Sequence, residues 1–387
     1  MANDRALLSL TTIDTPIGAR SPEQTQYVID SVKVRFQVAQ EYISEGAQSL
    51  QFFLSPDQSE TKENFLALTK DLKSTGDIAY LRNTDHGLMI TVARKPVQSG
   101  KPRVKLPLAL FLATISTVFI YGYLWGPVTG YKQSVNQDLT IGTIFAVSLM
   151  AIIGIHEMGH KVASWHHKME SSWPYFIPFP PIPGLTLPTM GAVISAKDPP
   201  PNKDALFDLG VSGPMAGLIT TIVVSILASF TAKIVPAGSV TGPVGSVDIF
   251  TSYLIGITHP GQTGVISGSL FGALYFAYSL GFLLTFVNLL PAWQLDGGHI
   301  SNASVTPRTH KYLTYFSAAV MFLTGFWFMA LLVLFFASRV PSLRPLDDVS
   351  PLSGKRKIMF WATWIIAAAI LVLVVYNNGF FWIWNAI

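Results

Sequence analysis

A polytopic α-helical membrane protein of about six transmembrane helices, preceded by a small soluble α/β domain, is the fold class that three features predict. Half of the 387 residues are hydrophobic and only 12% are charged, a composition too apolar for an ordinary soluble chain. The charges are also unevenly placed: residues 1–105 hold 13 Lys/Arg and 12 Asp/Glu, which is 25 of the 48 in the chain. Beyond them lie repeated runs of about 20 apolar residues, the length that crosses a hydrocarbon core.

Residues 1–22 read as a flexible N-terminus without the uninterrupted apolar stretch of a secretory signal or the character of a transit peptide. The soluble domain is expected over 23–100. Within it "SLQFFLS" reads as a strand and "ETKENFLALTKDLKSTG" as an amphipathic helix closed by Gly76. "IAYLRNTDHGLMITVARK" reads as a hairpin around "NTDHG", while "YVIDSVKVRFQVAQEYISEG" fits helix or strand equally. The membrane domain, 101–387, has hydropathic spans at about 106–126, 139–163, 208–232, 268–291, 312–337 and 358–376. Between the second and third spans, residues 168–207 form a loop with nine prolines, too broken to cross, in which "TMGAVISA" (189–196) has strand character.

The chemistry concentrates in "GIHEMGH" (154–160), at the end of the second span. Ionisable side chains are expensive inside a bilayer and mark function there. His156 and His160, four residues apart, share a helix face and can hold one Zn²⁺, with Glu157 beside them to take a proton from water. Catalytic zinc needs a third protein ligand, and Asp296 in "NLLPAWQLDGGHI" (288–300) is the best candidate. Spans two and four run in the same direction, so the C-terminal end of the fourth brings Asp296 to the side where His156 lies. Gly297 and Gly298 allow a tight backbone turn there. His299 is a candidate partner around the metal, and "GVSGPMAGL" (210–218) offers a small-residue face for close helix packing. His166 and His167 are expected at the membrane interface, and His310 in water. With no cysteine, disulfides, thiolate metal sites and Cys nucleophiles are excluded, and a net charge of +4 carries no nucleic-acid signal.

"HEMGH", then "MGAVISAKDPPPNKDALFDLGVSGPMAGL", then "NLLPAWQLDGG" resemble, in order and spacing, the site-2 protease family of intramembrane zinc metalloproteases. The resemblance runs over about 140–305. It points to the subgroup with the plant plastid proteases of ethylene-dependent gravitropism deficiency and yellow-green leaves, and their prokaryotic relatives. It implies His156, His160 and Asp296 as ligands of one zinc ion per chain, Glu157 as general base, and Asn288 as a contact to substrate backbone or oxyanion. His299 stands where many relatives carry Arg, and Ser212 where Ala is common. Partners implied are transmembrane protein substrates and the lipid bilayer; the sequence carries no oligomer signal. Gly191, Ala192 and Val193 are expected to offer a strand edge on which an unwound substrate pairs.

A divalent-metal transporter using the same His/Asp site is the alternative, but Glu157 beside the His pair suits hydrolysis, and no repeated halves are visible. Another HExxH membrane enzyme would draw a downstream Glu, and no Glu follows Glu170. Six spans put both termini on one side, read as cytoplasmic in a prokaryotic cell membrane with the active site facing that side. That placement leaves Arg339, Arg344, Lys355, Arg356 and Lys357 on the opposite side, against the rule that basic residues stay inside.

Overall fold

The computed structural model describes residues 20–43, 49–56, 58, 60–95, 104–125, 135–180, 188–236, 247–324 and 326–375. The stretch 1–19 of the expected flexible terminus, and residue 376 of the last expected span, lie outside it. The chain divides into two compact units, one of residues 1–101 with 346–351 and one of the remainder.

In the small unit, α1 (Pro22–Lys33) is followed by β1 (Val38–Ile43), β2 (Ser49–Leu54), α2 (Thr61–Leu72), β3 (Asp77–Thr84) and β4 (Gly87–Arg94). The segment that fitted helix or strand is both, α1 and then β1. Ser21 accepts from the Gln24 backbone while Gln24 reaches back to the Ser21 backbone, a reciprocal cap that starts α1. The strands form one antiparallel sheet in the order β1-β2-β4-β3, with the β3–β4 turn at Thr84–Gly87. Alternate residues Leu50, Phe52 and Leu54 of β2 and Ile90 and Val92 of β4 are buried against Phe65, Leu68 and Leu72 of α2. Arg20 is buried and donates to Asp77 at 2.8 Å.

A distant segment completes this core. Leu346 is buried among its side chains, and the Leu346 carbonyl accepts from the Leu81 N–H (2.9 Å) and from Arg82 Nη1 (2.6 Å). The small unit is therefore discontinuous, which the expected boundary at residue 100 does not include.

The second unit contains α3 (Lys105–Trp125), α4 (Val135–His166), α5 (Lys203–Thr231), α6 (Ile249–Thr258), α7 (Ser269–Leu289), α8 (Asp296–Ser304), α9 (Pro307–Leu323), α10 (Trp327–Arg339) and α11 (Gly354–Ile370). Two short ribbons interrupt them: β5 (Tyr175–Pro178) with β6 (Thr189–Val193), and β7 (Lys233–Val235) with β8 (Val265–Ser267). Among the described residues five helices are long and apolar enough to cross a membrane, in the regions of α3, α4, α5, α7 and α11. The expected span at 312–337 is instead two helices, α9 and α10, of 17 and 13 residues. They fold back on each other: His310 near the start of α9 meets Ser342, just past the end of α10, at 3.0 Å. At 1.5 Å per residue α9 is about 26 Å long and α10 about 20 Å, both short of a hydrocarbon core of about 30 Å. A hydropathy window cannot distinguish one long apolar helix from two short ones.

Leu346→Ala is expected to destabilise the small unit by about 2–5 kcal/mol. Hydrogen exchange on the full chain should show faster exchange across β3 and β4; unchanged exchange would remove Leu346 from that core.

Candidate metal centre

Helix α4 continues well beyond His156, ending at His166. His156 thus lies ten residues, or about 15 Å, before the end of its helix, deeper than the expected span end at 163 suggests. Helix α7 stops at Leu289, the backbone turns through Pro291–Leu295, and Asp296 opens α8.

These elements bring three donor atoms together. His156 Nε2 is 3.2 Å from Asp296 Oδ2, His160 Nε2 is 3.3 Å from Asp296 Oδ1, and the two Nε2 atoms are 3.2 Å apart. Among the described residues this is the one group of three or more His, Asp or Glu side chains disposed to hold a metal ion. The donor set fits zinc by size as well as type: a tetrahedral ion with bonds of about 2.0–2.1 Å separates its ligand atoms by roughly 3.3 Å. His160 Nδ1–H donates to the Leu209 carbonyl at 2.8 Å, so its Nε2 keeps the lone pair a metal needs. Glu157 is buried beside the pair and forms no ion pair among the described residues.

The close approach rests on glycines. A Cβ at Gly213 would lie 2.1 Å from His160 Nε2, one at Gly159 would lie 2.4 Å from the Ser212 carbonyl oxygen, and one at Gly210 2.6 Å from the Asp296 carbonyl oxygen. The small-residue face of α5 therefore lies directly on the imidazoles of α4 and the backbone of α8. Gly297 and Gly298 face the Leu289 and Trp293 carbonyl oxygens, where a Cβ would sit at 2.2 and 2.3 Å.

Asn288, on the last turn of α7, places Nδ2 at 3.5 Å from His156 Nε2. Gly191, Ala192 and Val193 lie on β6, which pairs antiparallel with β5; Ala192 faces Phe176 and Val193 faces Tyr175. Gly191 has φ +84°, and the Val193 side chain is exposed. Among the described residues β6 pairs with β5 alone. His299 is one turn into α8; its N–H donates to the Leu295 carbonyl, and its ring has no hydrogen bond among the described residues.

One histidine differs from expectation. His310 is buried rather than in water, held between Ser301 Oγ (2.8 Å) and Ser342 Oγ (3.0 Å). His167 meets Asp208 at 2.8 Å, and Asp208 also accepts from Arg356 Nε at 2.7 Å. This cluster ties the ends of α4, α5 and α11 one residue from Leu209. Sequence reading passed over it. The available signal was the i, i+4 spacing of Asp204 and Asp208 and the basic run "GKRK" at the start of α11.

Residues 144–332 match the family model described as peptidase family M50. Curated proteins similar to the chain include the probable chloroplastic zinc metalloprotease EGY1 of Oryza sativa subsp. japonica, 28% identical over 40% of this chain and 26% of that one. EGY1 of Arabidopsis thaliana is 26% identical over 59% and 42%, and EGY3 of Oryza sativa subsp. indica 23% over 70% and 47%. The chain thus spans less than half the length of each of these relatives. No solved structure matches it significantly.

Gly213→Ala is expected to remove bound metal, because the methyl group occupies the place of the His160 ring. Gly154→Ala, which adds a Cβ with nothing within 4 Å, is expected to keep it. Elemental analysis of both purified variants reads the difference; equal metal content would break the packing argument.

Proposed function

With residues 144–332 of the M50 peptidase type, we propose that the chain is an intramembrane zinc metalloprotease cutting peptide bonds in or near transmembrane segments of membrane proteins. One observation carries the reading: the His156–His160 pair and Asp296, which is more than 130 residues away in sequence, bring their donor atoms within 3.3 Å of one another, next to the buried Glu157. Zinc is the ion named for the relatives, and divalent-metal transport finds no support in those names.

Zinc at these three residues would lower the pKa of water and polarise the scissile carbonyl. Glu157 accepts the proton from the attacking water and returns it to the leaving amine. The Leu209 carbonyl, accepting from the Nδ1–H of His160, holds that imidazole in orientation. Asn288, within reach of His156, is placed to donate to the carbonyl oxygen as charge develops. A helical substrate hides its backbone in intrahelical bonds, so it must unwind; the outer edge of β6 at Gly191–Val193 can receive it as an added strand.

The helical hairpin supports one sidedness. Four crossings precede α9, and α9–α10 returns the chain to the side it left. Arg339, Arg344, Lys355, Arg356 and Lys357 then lie with the basic residues before α3, as the rule for basic loops requires. We assign that side, which also holds the α8 end of the site, as cytoplasmic if the chain resides in a prokaryotic cell membrane. Regulated intramembrane proteolysis, in which cleavage releases a soluble domain from its anchor, is the process this arrangement serves.

Glu157→Gln should retain zinc and lower cleavage of single-span substrates by about 10²–10⁴-fold; a variant that cuts as well as the parent would end the assignment. Val193→Pro, which removes a backbone donor from β6, is expected to reduce cleavage with zinc content unchanged. Undiminished cleavage would remove the strand-docking step.

A further inference from the structure

A single lysine grips the base of the β5–β6 ribbon. Past Tyr175 and Val193 the two chains meet again at an antiparallel bridge between Ser171 and Ala196. Around it the Ser172 N–H donates to the Ser195 carbonyl (2.9 Å), the Ser195 N–H to Ser172 Oγ (2.9 Å), and the Lys197 N–H to the Glu170 carbonyl (2.8 Å). Lys161 of α4 reaches into this base. Its Nζ donates to the Ser171 carbonyl (2.7 Å), to Ser171 Oγ (3.1 Å) and to the Ser172 carbonyl (3.2 Å). An ammonium has three donors, and here all three find acceptors on two successive residues. The Trp173 ring lies beside the same group, its centroid 5.7 Å from Nζ.

Lys161 directly follows His160 in the chain. A helix turns by about 100° per residue, so one side of this turn presents the imidazole to α5 and the neighbouring side presents the ammonium to the ribbon. The strand β5 is held differently: Phe176 is buried and meets Phe111 of α3 edge to face, ring centroids 5.0 Å apart. Apolar packing is non-directional, whereas hydrogen bonds from a charged donor fix distance and direction. The lysine therefore sets where along α4 the ribbon begins. Val193, the exposed edge residue, stands three residues before Ala196 in that base. Resting on the reading of β6 as the edge that receives substrate, we propose that Lys161 is a positioning residue for cleavage. It fastens the ribbon to the turn of α4 that carries His160, and so fixes where an added strand lies relative to the metal ligands. It acts through Ser171 and Ser172 on Gly191–Val193; its loss lets the edge shift while the donor atoms of His156, His160 and Asp296 stay in place.

The test compares Lys161→Met, which keeps the apolar stem and removes the donors, with the parent full-length chain in neutral detergent. Three quantities are read: bound metal, amide hydrogen exchange over 171–196, and kcat and KM on a single-span substrate. Lys161→Met is expected to keep its metal, to exchange about tenfold faster around Ser172 and Ser195, and to raise KM about threefold to tenfold with kcat little changed. Lys161→Arg, which can still donate to both carbonyls, should recover the lower KM. Lys311→Met removes a cation from α9 that lies beside Tyr315 and should alter neither exchange in the ribbon nor KM. Loss of metal in Lys161→Met would overturn the proposal, because the lysine would then serve the fold of α4. An unmoved KM in Lys161→Met, with cleavage lowered by Val193→Pro, would leave the docking edge standing and remove the role given to Lys161. Cleavage unmoved by either substitution would remove the docking edge itself, and this role with it.

Discussion

Backbone contact between three helices is the constraint on which the membrane unit depends. Two imidazoles on α4 and a carboxylate on α8 converge only if α5 comes close enough to hold them, and α5 comes close only because Gly210 and Gly213, with Gly159 on α4, have no side chains. Helices in lipid gain little from burying apolar surface against one another, since the tails are equally apolar; close packing of small residues supplies the attraction instead. The feature that assembles the helices is thus also the one that shapes the metal centre. Ring orientation follows from it, because the Leu209 carbonyl that receives His160 Nδ1–H belongs to the same stretch of α5.

Beside that centre a set of charged groups is mutually paired, although His156 Nδ1 is buried without a hydrogen-bond partner among the described residues. Asp208 answers both His167 and Arg356, and Asp204 accepts from the Ser353 N–H at 3.0 Å and pairs with Arg356, joining the starts of α5 and α11. A buried carboxylate without such partners would be costly. With them it locks the first turns of α5, which carry Leu209. The oxygen that orients a ligand histidine is therefore anchored by charges close to it in sequence, a coupling that side-chain identity alone does not reveal.

The hairpin of α9 and α10 replaces the single helix expected at 312–337 with two helices of 17 and 13 residues whose open ends meet at His310 and Ser342. The same return carries the chain to Leu346–Pro351, which supplies a core residue and a backbone bridge to the small unit. It also sets Ser342 against His310, giving a histidine that looked solvent-facing two hydroxyl partners in a buried place.

What the sequence determined by itself is the chemistry. The i, i+4 histidines with Glu157 between them, the lack of any later glutamate, and Asp296 before two glycines pose a candidate metal-ligand set, because local helix geometry and residue type are enough to pose it. The apolar runs of α3, α4, α5, α7 and α11 are legible for the same reason: each offers 20 residues or more, α11 together with its continuation to Leu373, which is about the length of a hydrocarbon core. Only the tertiary structure decided the break between α9 and α10, the return of Leu346 to a core more than two hundred residues earlier, and the contacts of Leu209, Asp208 and His310. Each of these depends on which distant backbone happens to lie alongside, a matter of packing between segments that no local pattern encodes.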